Sequence, residues 1–315
     1  MSSSSSSSSP SLRAPARPSS AVHPALVLEA GGWDDFALID SGHGRKLERY
    51  GSIVVDRPEP QAMWTPRLPD SEWQRADAVF TGTDEDDGHG RWRASRTLPE
   101  AWEMRYGPAR FICRFTGFRH VGVFPEQRAH WDWMTDRIRT AGRPVRVLNL
   151  FGYTGLASLL CAEAGAKVTH VDASKKAIAW ARENQVLSGM EGLPIRWILD
   201  DAVKFAAREE RRGSKYEGII LDPPKFGRGP KGEVWDLFES LYEMLRLVRA
   251  MMSDEPLFIA LTAYAIRASF LATHRLSAEL WGDLAGRLES GELALVEAET
   301  GKLLPTSMFT RWSAE

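Results

Sequence analysis

The sequence predicts an α/β fold in which a doubly wound, mostly parallel sheet follows a smaller β-rich domain. Two observations predict it. From residue 145 onwards, short apolar runs alternate with longer segments of helical period, as in successive βαβ units. Before residue 129, the apolar runs are short and broken by Gly, Pro and Asp, which indicates antiparallel strands. We therefore expect a disordered Ser- and Pro-rich tail at 1–20, a β-rich domain at 21–128 and an α/β domain at 129–315.

The α/β region is predicted to contain seven strands, at 145–150, 167–172, 194–198, 218–222, 257–261, 293–300 and 307–312. The predicted helices are 155–164, 174–188, 202–212, 234–252 and 266–288. The last two strands follow each other directly, which implies an antiparallel hairpin at the end of the sheet. Ligands of such sheets bind at the carboxyl ends of the strands.

The β-rich region is predicted to contain strands at 26–28, 36–40, 52–56 and 78–80, a hairpin of 110–115 with 120–124, and then a helix at 129–140. An acidic run at 84–87 is expected to be a solvated loop.

The composition is ordinary for a globular protein, since 43% of the 315 residues are hydrophobic and 26% are charged. No apolar run reaches about 18 residues, so no membrane span is expected. Cys113 and Cys161 are the only cysteines in the sequence, which favours reduced thiols in a cytoplasmic protein. The formal net charge of −2 means that nucleic-acid binding would need a local basic patch.

The one strongly basic segment is 105–146, where nine Arg less three acidic residues leave +6. Aromatic residues lie among these arginines, and the combination is typical of nucleic-acid surfaces. A hairpin with solvated arginine edges would have the same composition. Both interpretations stay open.

A glycine-containing turn follows the first strand of the α/β region. Gly152 and Gly155 allow the chain to turn sharply and to approach a ligand closely. Asp172 ends the next strand, where a carboxylate can hold the two hydroxyls of a ribose. The G-x-G-x-x-G spacing and the P-loop motif are both missing from the sequence. The pattern therefore favours an adenosine-type ligand over an ordinary turn, without the phosphate grip of nicotinamide, flavin or P-loop sites.

The fourth strand of that region ends in Asp222-Pro223-Pro224-Lys225-Phe226. Consecutive prolines fix the backbone and present Asp222 towards a planar amine or ring, and Phe226 can stack on a base. A rigid structural turn is the alternative. Residues 227–232 are glycine-rich and basic, and we expect a mobile loop there that meets the phosphates of a substrate.

These motifs resemble class I S-adenosylmethionine-dependent methyltransferases, and more narrowly the bacterial large-subunit ribosomal RNA methyltransferases that act on cytosine C5 or guanine N7. The resemblance covers 110–315. It lies in Asn-Leu-Phe-x-Tyr-Thr-Gly at 149–155, Val-Asp-Ala-Ser at 171–174, Asp-Asp-Ala at 200–202, the Asp222 loop, and Phe-Pro-Glu-Gln-Arg at 124–128, which matches a short element ahead of the catalytic domain.

The resemblance implies a Rossmann-like fold, S-adenosylmethionine as the cofactor and ribosomal RNA as the partner. At the methionine end of the cofactor it implies Asn149, Phe151, Gly152, Tyr153, Thr154 and Gly155. Beside the ribose and adenine it implies Asp172, Ala173, Ser174, Asp201 and Ala202, and over the carboxylate Gln127 and Arg128. Asp222 would lie next to both cofactor and target, with Pro223, Lys225 and Phe226 facing the target.

One departure bears on the reaction. Methylation of cytosine C5 needs a cysteine nucleophile, which in those relatives follows the fifth strand, whereas this sequence has Leu-Thr-Ala-Tyr at 261–264. We therefore predict direct transfer of the methyl group to a nitrogen of a ribosomal RNA base, with Asp222 orienting the acceptor and taking its proton. The alternatives are a small-molecule or protein side-chain acceptor, a cytosine-C5 enzyme, and a binding protein without turnover. No metal is expected, and the oligomeric state is left open, with a homodimer among the alternatives.

Overall fold

The computed structural model describes residues 25–82, 90–264 and 268–315. The predicted tail at 1–20, the acidic run at 84–87 and the predicted start of the last helix at 266 lie outside these residues. The strands are β1 (Leu26–Ala30), β2 (Phe36–Gly42), β3 (Arg45–Tyr50), β4 (Ile53–Pro58), β5 (Ala78–Thr81), β6 (Arg91–Ala94), β7 (Ala101–Tyr106), β8 (Ala109–Arg114), β9 (Arg146–Leu150), β10 (Lys167–Asp172), β11 (Ile195–Leu199), β12 (Gly218–Leu221), β13 (Phe226–Arg228), β14 (Val234–Asp236), β15 (Phe258–Tyr264), β16 (Arg287–Val296) and β17 (Leu303–Ser313). The helices are α1 (Asp70–Trp73), α2 (Arg128–Thr140), α3 (Leu156–Glu163), α4 (Lys175–Leu187), α5 (Ala202–Arg211), α6 (Leu237–Met251) and α7 (Phe270–Trp281), and a 3-10 helix at Pro125–Gln127 precedes α2.

The large sheet has the strand order β1-β16-β17-β15-β12-β9-β10-β11. Strand β17 is antiparallel to both of its neighbours, and every other neighbouring pair is parallel. This confirms the predicted doubly wound sheet with a closing antiparallel hairpin. The chain order reverses between β9 and β12, which makes the carboxyl ends of β9, β10 and β12 the expected place for a ligand.

Strand β1 is an addition to the prediction, because residues 26–30 pair in parallel with β16 at the edge of the large sheet. This pairing ties residues before 128 to the large sheet. The predicted domain boundary at residue 128 stays a prediction.

Helices cover both faces of the large sheet, with α2, α3 and α4 on one face and α5, α6 and α7 on the other. In β9, Val147 packs into the core of the first face and the next residue, Leu148, into the core of the second. A strand that is buried on both faces needs a continuous apolar run, and that run is the pattern that predicted it.

The end of the chain differs from the prediction. Helix α7 ends at Trp281 and β16 begins at Arg287, whereas the prediction assigned 266–288 to one helix. Residues 287–292 have the polar composition of an exposed helix, but they pair with β17 along their length. Cross-strand pairing outweighs local propensity here.

The β-rich part contains a five-stranded sheet, β2 to β6 in chain order, and the separate β7–β8 hairpin. The predicted hairpin of 110–115 with 120–124 is wrong, because β8 pairs with β7 instead. The loop between them is only Gly107-Pro108, and Gly107 has a φ of 52°, as the first position of a tight hairpin turn requires. Residues 120–124 form no strand, although the Arg114 N–H donates to the Val121 carbonyl (2.9 Å).

Strand β3 was not predicted because its inward positions carry charges. Lys46 and Glu48 are 2% and 0% exposed. Glu48 accepts from Arg57 (Nε–Oε2 2.5 Å, Nη2–Oε1 3.0 Å), and Lys46 donates to Glu59 (3.0 Å). Although burial raises the pKa of Glu48, the charges of Arg57 and Lys46 hold it below its ordinary value. Pairing therefore makes the burial of these charges tolerable.

Replacing Arg57 leaves the buried Glu48 carboxylate without its two shortest hydrogen bonds and with only the more distant Lys46 (3.8 Å) as a cation. We expect Arg57→Met to lower the free energy of unfolding by about 3–5 kcal/mol, measured by urea denaturation. The matched control is Arg75→Met, because Arg75 pairs with Glu72 on the surface (3.2 Å). That change should cost less than about 1 kcal/mol. If the two variants lose the same free energy of unfolding, the buried charge cluster does not stabilise the fold more than a surface ion pair does.

Candidate active site

The turn after β9 has an unusual backbone. Phe151 and Tyr153 have φ values of 58° and 51°, in the left-handed region that residues with a Cβ seldom adopt. The Gly152 N–H donates to the Val171 carbonyl (3.1 Å), and the Thr154 hydroxyl donates to the Gly122 carbonyl (2.7 Å). These bonds hold the strained turn against β10 and against the segment that precedes α2.

Glycine is required at position 152, because a Cβ there would lie 2.3 Å from the His170 ring. That ring makes an edge-to-face contact with Trp197 (4.7 Å between ring centres), and its Nδ1 contacts the Ser158 hydroxyl (3.0 Å). Burial lowers the pKa of His170 to about 3, so the ring is neutral. The turn therefore packs directly against the His170 ring at Gly152.

Asp172 is positioned by the turn itself. Its Oδ2 accepts from the Tyr153 N–H (2.9 Å) and its Oδ1 from the Ser174 N–H (2.7 Å). Each oxygen keeps a second lone pair, as a ribose diol requires. Burial raises the pKa of Asp172 above its ordinary value, while the two backbone donors act in the opposite direction. Ala173 follows it, and the Ser174 hydroxyl caps α4 by accepting from the Ala177 N–H (3.2 Å).

Asp201 lies at the start of α5. Its Oδ1 accepts from the Lys204 N–H (2.9 Å), which makes it the N-cap of the helix. The neighbouring Asp200 forms an ion pair with Arg208, and Ala202 is buried. Asp201 therefore has one carboxylate oxygen committed to the helix and one that is available to a ligand.

A cleft opens between the turn and the segment 122–134. It is lined by Gly122, Val123, Phe124, Gln127, Trp131, Met134, Asn149, Phe151, Gly152, Tyr153, Thr154, Leu156, Ala157, Ile220 and Asp222. The cleft thus brings together seven residues predicted from the sequence. The sequence prediction missed most of its apolar wall. The i, i+3 spacing of Trp131 and Met134 on α2 was the available signal.

Asn149 and Thr154 line the cleft, but their side-chain donors point into the protein. The Asn149 amide donates to Ser158 (2.9 Å), and Thr154 donates to Gly122. We infer that these two residues shape the cleft, so their predicted direct contact with a cofactor stays a prediction.

Asp222 lines the cleft beside an oriented amide. The Gln127 Nε2 donates to Asp222 Oδ2 (3.1 Å), and the Thr262 hydroxyl donates to Gln127 Oε1 (3.3 Å), which orients the amide. Burial, and then the charge of Glu126, raise the pKa of Asp222 to about 7, although the Gln127 hydrogen bond acts against the rise. A carboxyl group with this pKa can exchange a proton near neutral pH.

The loop after Asp222 contains a hairpin. Residues 226–228 pair with 234–236 in the β13–β14 hairpin, and the expected mobility of 227–232 stays a prediction. Helix α6 begins at Leu237, not at 234, because the Asp236 carboxylate caps it by accepting from the Phe238 N–H (2.8 Å). Buried Trp235 anchors the hairpin by donating to the Pro224 carbonyl (2.7 Å).

Within the loop, Pro223 is buried, whereas Lys225 and Phe226 are exposed. The Lys225 ammonium lies 5.1 Å from the centre of the Phe226 ring. Neither side chain lines the cleft, but both are accessible to a substrate on the surface three and four residues after Asp222.

Arg128 is outside the cleft lining. Its Nε donates to the Tyr106 hydroxyl (3.1 Å), and it pairs with Asp132 (3.5 Å). Its Nη1 is buried without a hydrogen-bond partner among the described residues. The predicted contact with the carboxylate of a cofactor stays a prediction.

The arginines of the segment 105–146 are mostly neutralised by acidic residues, several of which lie outside the segment. Arg114 pairs with Glu183, Arg139 with Glu163, Arg143 with Glu255, Arg146 with Glu217, and Arg105 and Arg110 with Glu103. Arg119 lies over the Tyr264 ring (5.2 Å). This pairing favours the structural interpretation of the basic segment over a nucleic-acid surface.

Comparison with known proteins identifies the chemistry. A family model described as S-adenosylmethionine-dependent methyltransferase matches residues 72–290. The crystal structure of the SAM-dependent methyltransferase from Agrobacterium tumefaciens superposes with a TM-score of 0.89 and 55% identity, covering 93% of this chain and 95% of that chain. The structure of SMU.776 complexed with SAH has a TM-score of 0.68 at 16% identity, covering 88% of this chain and 75% of that chain, which shows the fold alone.

Among curated proteins, the ribosomal RNA large subunit methyltransferase K/L of Shewanella frigidimarina is 37% identical over 142 residues. The match covers 44% of this chain and 19% of that protein. The chain thus spans about a fifth of the length of the curated relatives it matches.

The groups in and beside the cleft fit S-adenosylmethionine. Asp172 and Asp201 are not part of the cleft lining, but they follow the neighbouring strands β10 and β11, where their carboxylate oxygens could meet a ribose and an amine. The apolar wall of the cleft suits the rest of the molecule. Among the described residues no group of three or more His, Cys, Asp or Glu could hold a metal ion. In the same part of the chain, no helix is long and apolar enough to cross a membrane.

Asp172 gives the sharpest test of the cofactor site. We expect Asp172→Ala to weaken S-adenosylmethionine binding by roughly 10- to 100-fold, since it removes hydrogen bonds to a charged acceptor worth about 1.5–3 kcal/mol each. Isothermal titration calorimetry measures the change. Asp283→Ala is the matched control, because Asp283 pairs with Arg249 on the surface and its loss should leave the affinity unchanged. Unchanged affinity in Asp172→Ala would exclude the assigned ribose contact.

Asp222 gives a pH test of its environment. Its pKa rises from 3.8 to about 7 on folding, so the protonated carboxyl stabilises the fold at low pH and this contribution is lost as pH rises through about 7. Asp222→Asn removes the cost of ionisation. We therefore expect the difference in unfolding free energy, variant minus wild type, to increase by roughly 1–3 kcal/mol from about pH 4 to about pH 8.

The control is Asp283→Asn, because Arg249 holds the pKa of Asp283 below 3.8. Its difference from the wild type should stay flat from about pH 5 to 8. Urea denaturation at several pH values measures both differences. An Asp222→Asn difference that is equally flat would show that Asp222 titrates normally.

Proposed function

This chain belongs to the S-adenosylmethionine-dependent methyltransferase family, and we propose that it methylates a base of ribosomal RNA by direct transfer to a nitrogen. The cofactor is S-adenosylmethionine, which supplies an electrophilic methyl group when it is bound. The observation that carries the proposal is the half-buried Asp222 at the cleft, held by Gln127 and followed by the exposed Phe226.

The residues divide the work as follows. Asp172, Ala173, Ser174, Asp201 and Ala202 hold the nucleoside part of the cofactor, and the turn at 151–155 with Asn149, Gln127 and Arg128 shapes the other end. Phe226 stacks on the target base, while Pro223 and Lys225 limit how the base approaches. Asp222 orients the acceptor nitrogen and receives its proton. Because the lining is mostly apolar, water is excluded and the polar contacts strengthen.

Direct transfer is favoured by the position of both cysteines. Cys113 is buried in β8, where its thiol lies 3.3 Å from the Met104 sulfur, and Cys161 is buried in α3. Burial raises the pKa of the Cys161 thiol to about 12 and that of Cys113 further still. Neither lines the cleft, so neither is placed to be a nucleophile. Thr262, Ala263 and Tyr264 occupy the end of β15, which argues against cytosine-C5 chemistry.

The choice of ribosomal RNA is supported by the curated relatives, whose names give large-subunit ribosomal RNA as their substrate. We also propose a cytoplasmic location, where that RNA and free thiols such as those of Cys113 and Cys161 are found. A small-molecule or protein side-chain acceptor is the second candidate. The observation that favours it is the ion pairing of the arginines in 105–146, which removes one basic surface from use.

Mass spectrometry of ribosomal RNA nucleosides from cells with and without the protein tests the proposal. We expect one N-methylated nucleoside to disappear and to return with the wild-type protein. Asp222→Asn should not restore it, because losing a general base lowers the rate by roughly 10²–10⁴-fold. Cys161→Ser should restore it fully, as the matched control for a covalent route.

Two results would overturn the proposal. An unchanged set of methylated nucleosides would point to a different acceptor. Loss of 5-methylcytidine, together with failure of the Cys161→Ser variant, would establish covalent chemistry instead.

A further inference from the structure

We propose that the outer face of the β13–β14 hairpin, together with the first two turns of α6, is a docking surface for single-stranded RNA. The proposal rests on the proposed function, because it names where the RNA lies next to the active site. We call this surface the hairpin platform. It consists of the exposed side chains Lys225, Phe226, Arg228, Lys231, Val234, Phe238 and Tyr242.

The hairpin platform exposes large apolar side chains that a folded protein normally buries. Phe226 is 50% exposed, Val234 73%, Phe238 61% and Tyr242 51%. Phe238 and Tyr242 are one turn apart on α6, so they lie on the same face of the helix. Phe226, Val234 and Phe238 lie within a stretch of 13 residues, from 226 to 238. Exposed patches of this kind mark interaction sites.

The hairpin presents this face rigidly. In the pairing of β13 with β14, Phe226 lies opposite Asp236 and Arg228 opposite Val234, while Gly227 and Trp235 face inwards. Trp235 packs against Phe151 (4.9 Å between ring centres), which lines the cofactor cleft. The inner face of the hairpin therefore packs against a residue of the cleft wall, and its outer face begins only four residues after Asp222.

The charges of the hairpin platform complement a phosphate backbone. Lys225, Arg228 and Lys231 form no ion pair among the described residues. The nearby carboxylates are occupied: Glu233 accepts from the Lys204 ammonium (2.7 Å), and Asp236 caps α6.

Glu239, in the first turn of α6, is a further acid, and the Asp236 carboxylate keeps its charge because it accepts only from backbone N–H groups. Three cations against these two carboxylates leave a net charge of +1 on a surface of an acidic protein. The arginines of 105–146 differ from the cations of the hairpin platform, because most of those arginines form ion pairs with carboxylates.

Aromatic faces next to free cations fit single-stranded RNA in particular. Unpaired bases stack on exposed rings while lysine and arginine follow the backbone. A duplex hides its base faces, and a protein partner would have no need of the unpaired cations. A strand lying on the hairpin platform would also lead its next base towards Phe226 and Asp222.

Fluorescence anisotropy with a labelled single-stranded RNA of mixed sequence tests the proposal. We expect the double variant Phe238→Ala and Tyr242→Ala to weaken binding by about 10- to 100-fold with an unchanged salt slope, because stacking is lost. The double variant Arg228→Gln and Lys231→Gln should reduce the slope of log K against log salt by about 1.4, since two phosphate contacts disappear. The matched control is the double variant Arg110→Gln and Arg139→Gln, whose arginines are paired and whose loss should change neither quantity.

Calorimetry with S-adenosylmethionine checks that these surface variants are folded, and each should bind the cofactor as the wild type does. If both platform variants bind RNA with the affinity and salt slope of the wild type, the proposal that the hairpin platform is the docking surface is wrong. This holds even if the nucleoside experiment still shows a lost methylation. If size-exclusion chromatography showed that Phe238→Ala with Tyr242→Ala breaks a dimer while RNA affinity is kept, the surface would be a contact between copies of this chain. Failure of the proposed function looks different, because the wild type itself would then bind no RNA and no nucleoside would be lost.

Discussion

The hydrogen bonds of the Asp172 carboxylate are the interaction on which the site depends. One oxygen accepts from the backbone of the turn after β9 and the other from the start of α4. This single side chain therefore ties together two neighbouring βα units at their carboxyl ends. It also compensates for the strain at Phe151 and Tyr153, because a left-handed backbone conformation persists only where the surroundings hold it. The residue that would recognise the ribose thus also builds the turn that would cover the rest of the cofactor.

The β-rich part contributes to the active site as well as to the fold. The segment 122–128 leaves that part and crosses the cleft, where Gln127 fixes Asp222 and Gly122 receives the Thr154 hydroxyl. Glu126 in the same segment is buried, and its charge raises the pKa of Asp222, while Lys46 and Arg57 act on the pKa of Glu126 from the β-rich side. Burial is the largest cause of the raised pKa of Asp222, and through Glu126 side chains from both parts of the chain contribute to it.

The large sheet could be predicted because its strands are buried on both faces and so give continuous apolar runs, as β9 shows. Asp172 and Asp222 could be predicted to lie at the same edge of the sheet because parallel strands bring their carboxyl ends together there. The failures have a different physical origin. Strand β3 buries Lys46 and Glu48, so no apolar alternation marks it. The β13–β14 hairpin depends on Trp235 packing against Phe151, a contact between distant residues that no local pattern reveals. The true partner of β8 was decided by the short turn at Gly107-Pro108 rather than by strand composition.

The charge of a segment counted along the sequence also differs from the unpaired charge that it presents in the folded structure. Counting along the chain makes 105–146 the basic segment, yet its arginines find carboxylates on α3, α4 and the strand ends. The hairpin after Asp222 carries fewer cations, but they stay available because Glu233 and Asp236 are committed elsewhere. What attracts a polyanion is unpaired charge, since counterion release requires cations that are free to meet phosphates. Because Trp235 packs against Phe151, which lines the cleft, an RNA bound on the hairpin and a cofactor bound in the cleft would share a structural element. Any effect of the first on the affinity of the second must then be matched by an equal effect in the reverse direction.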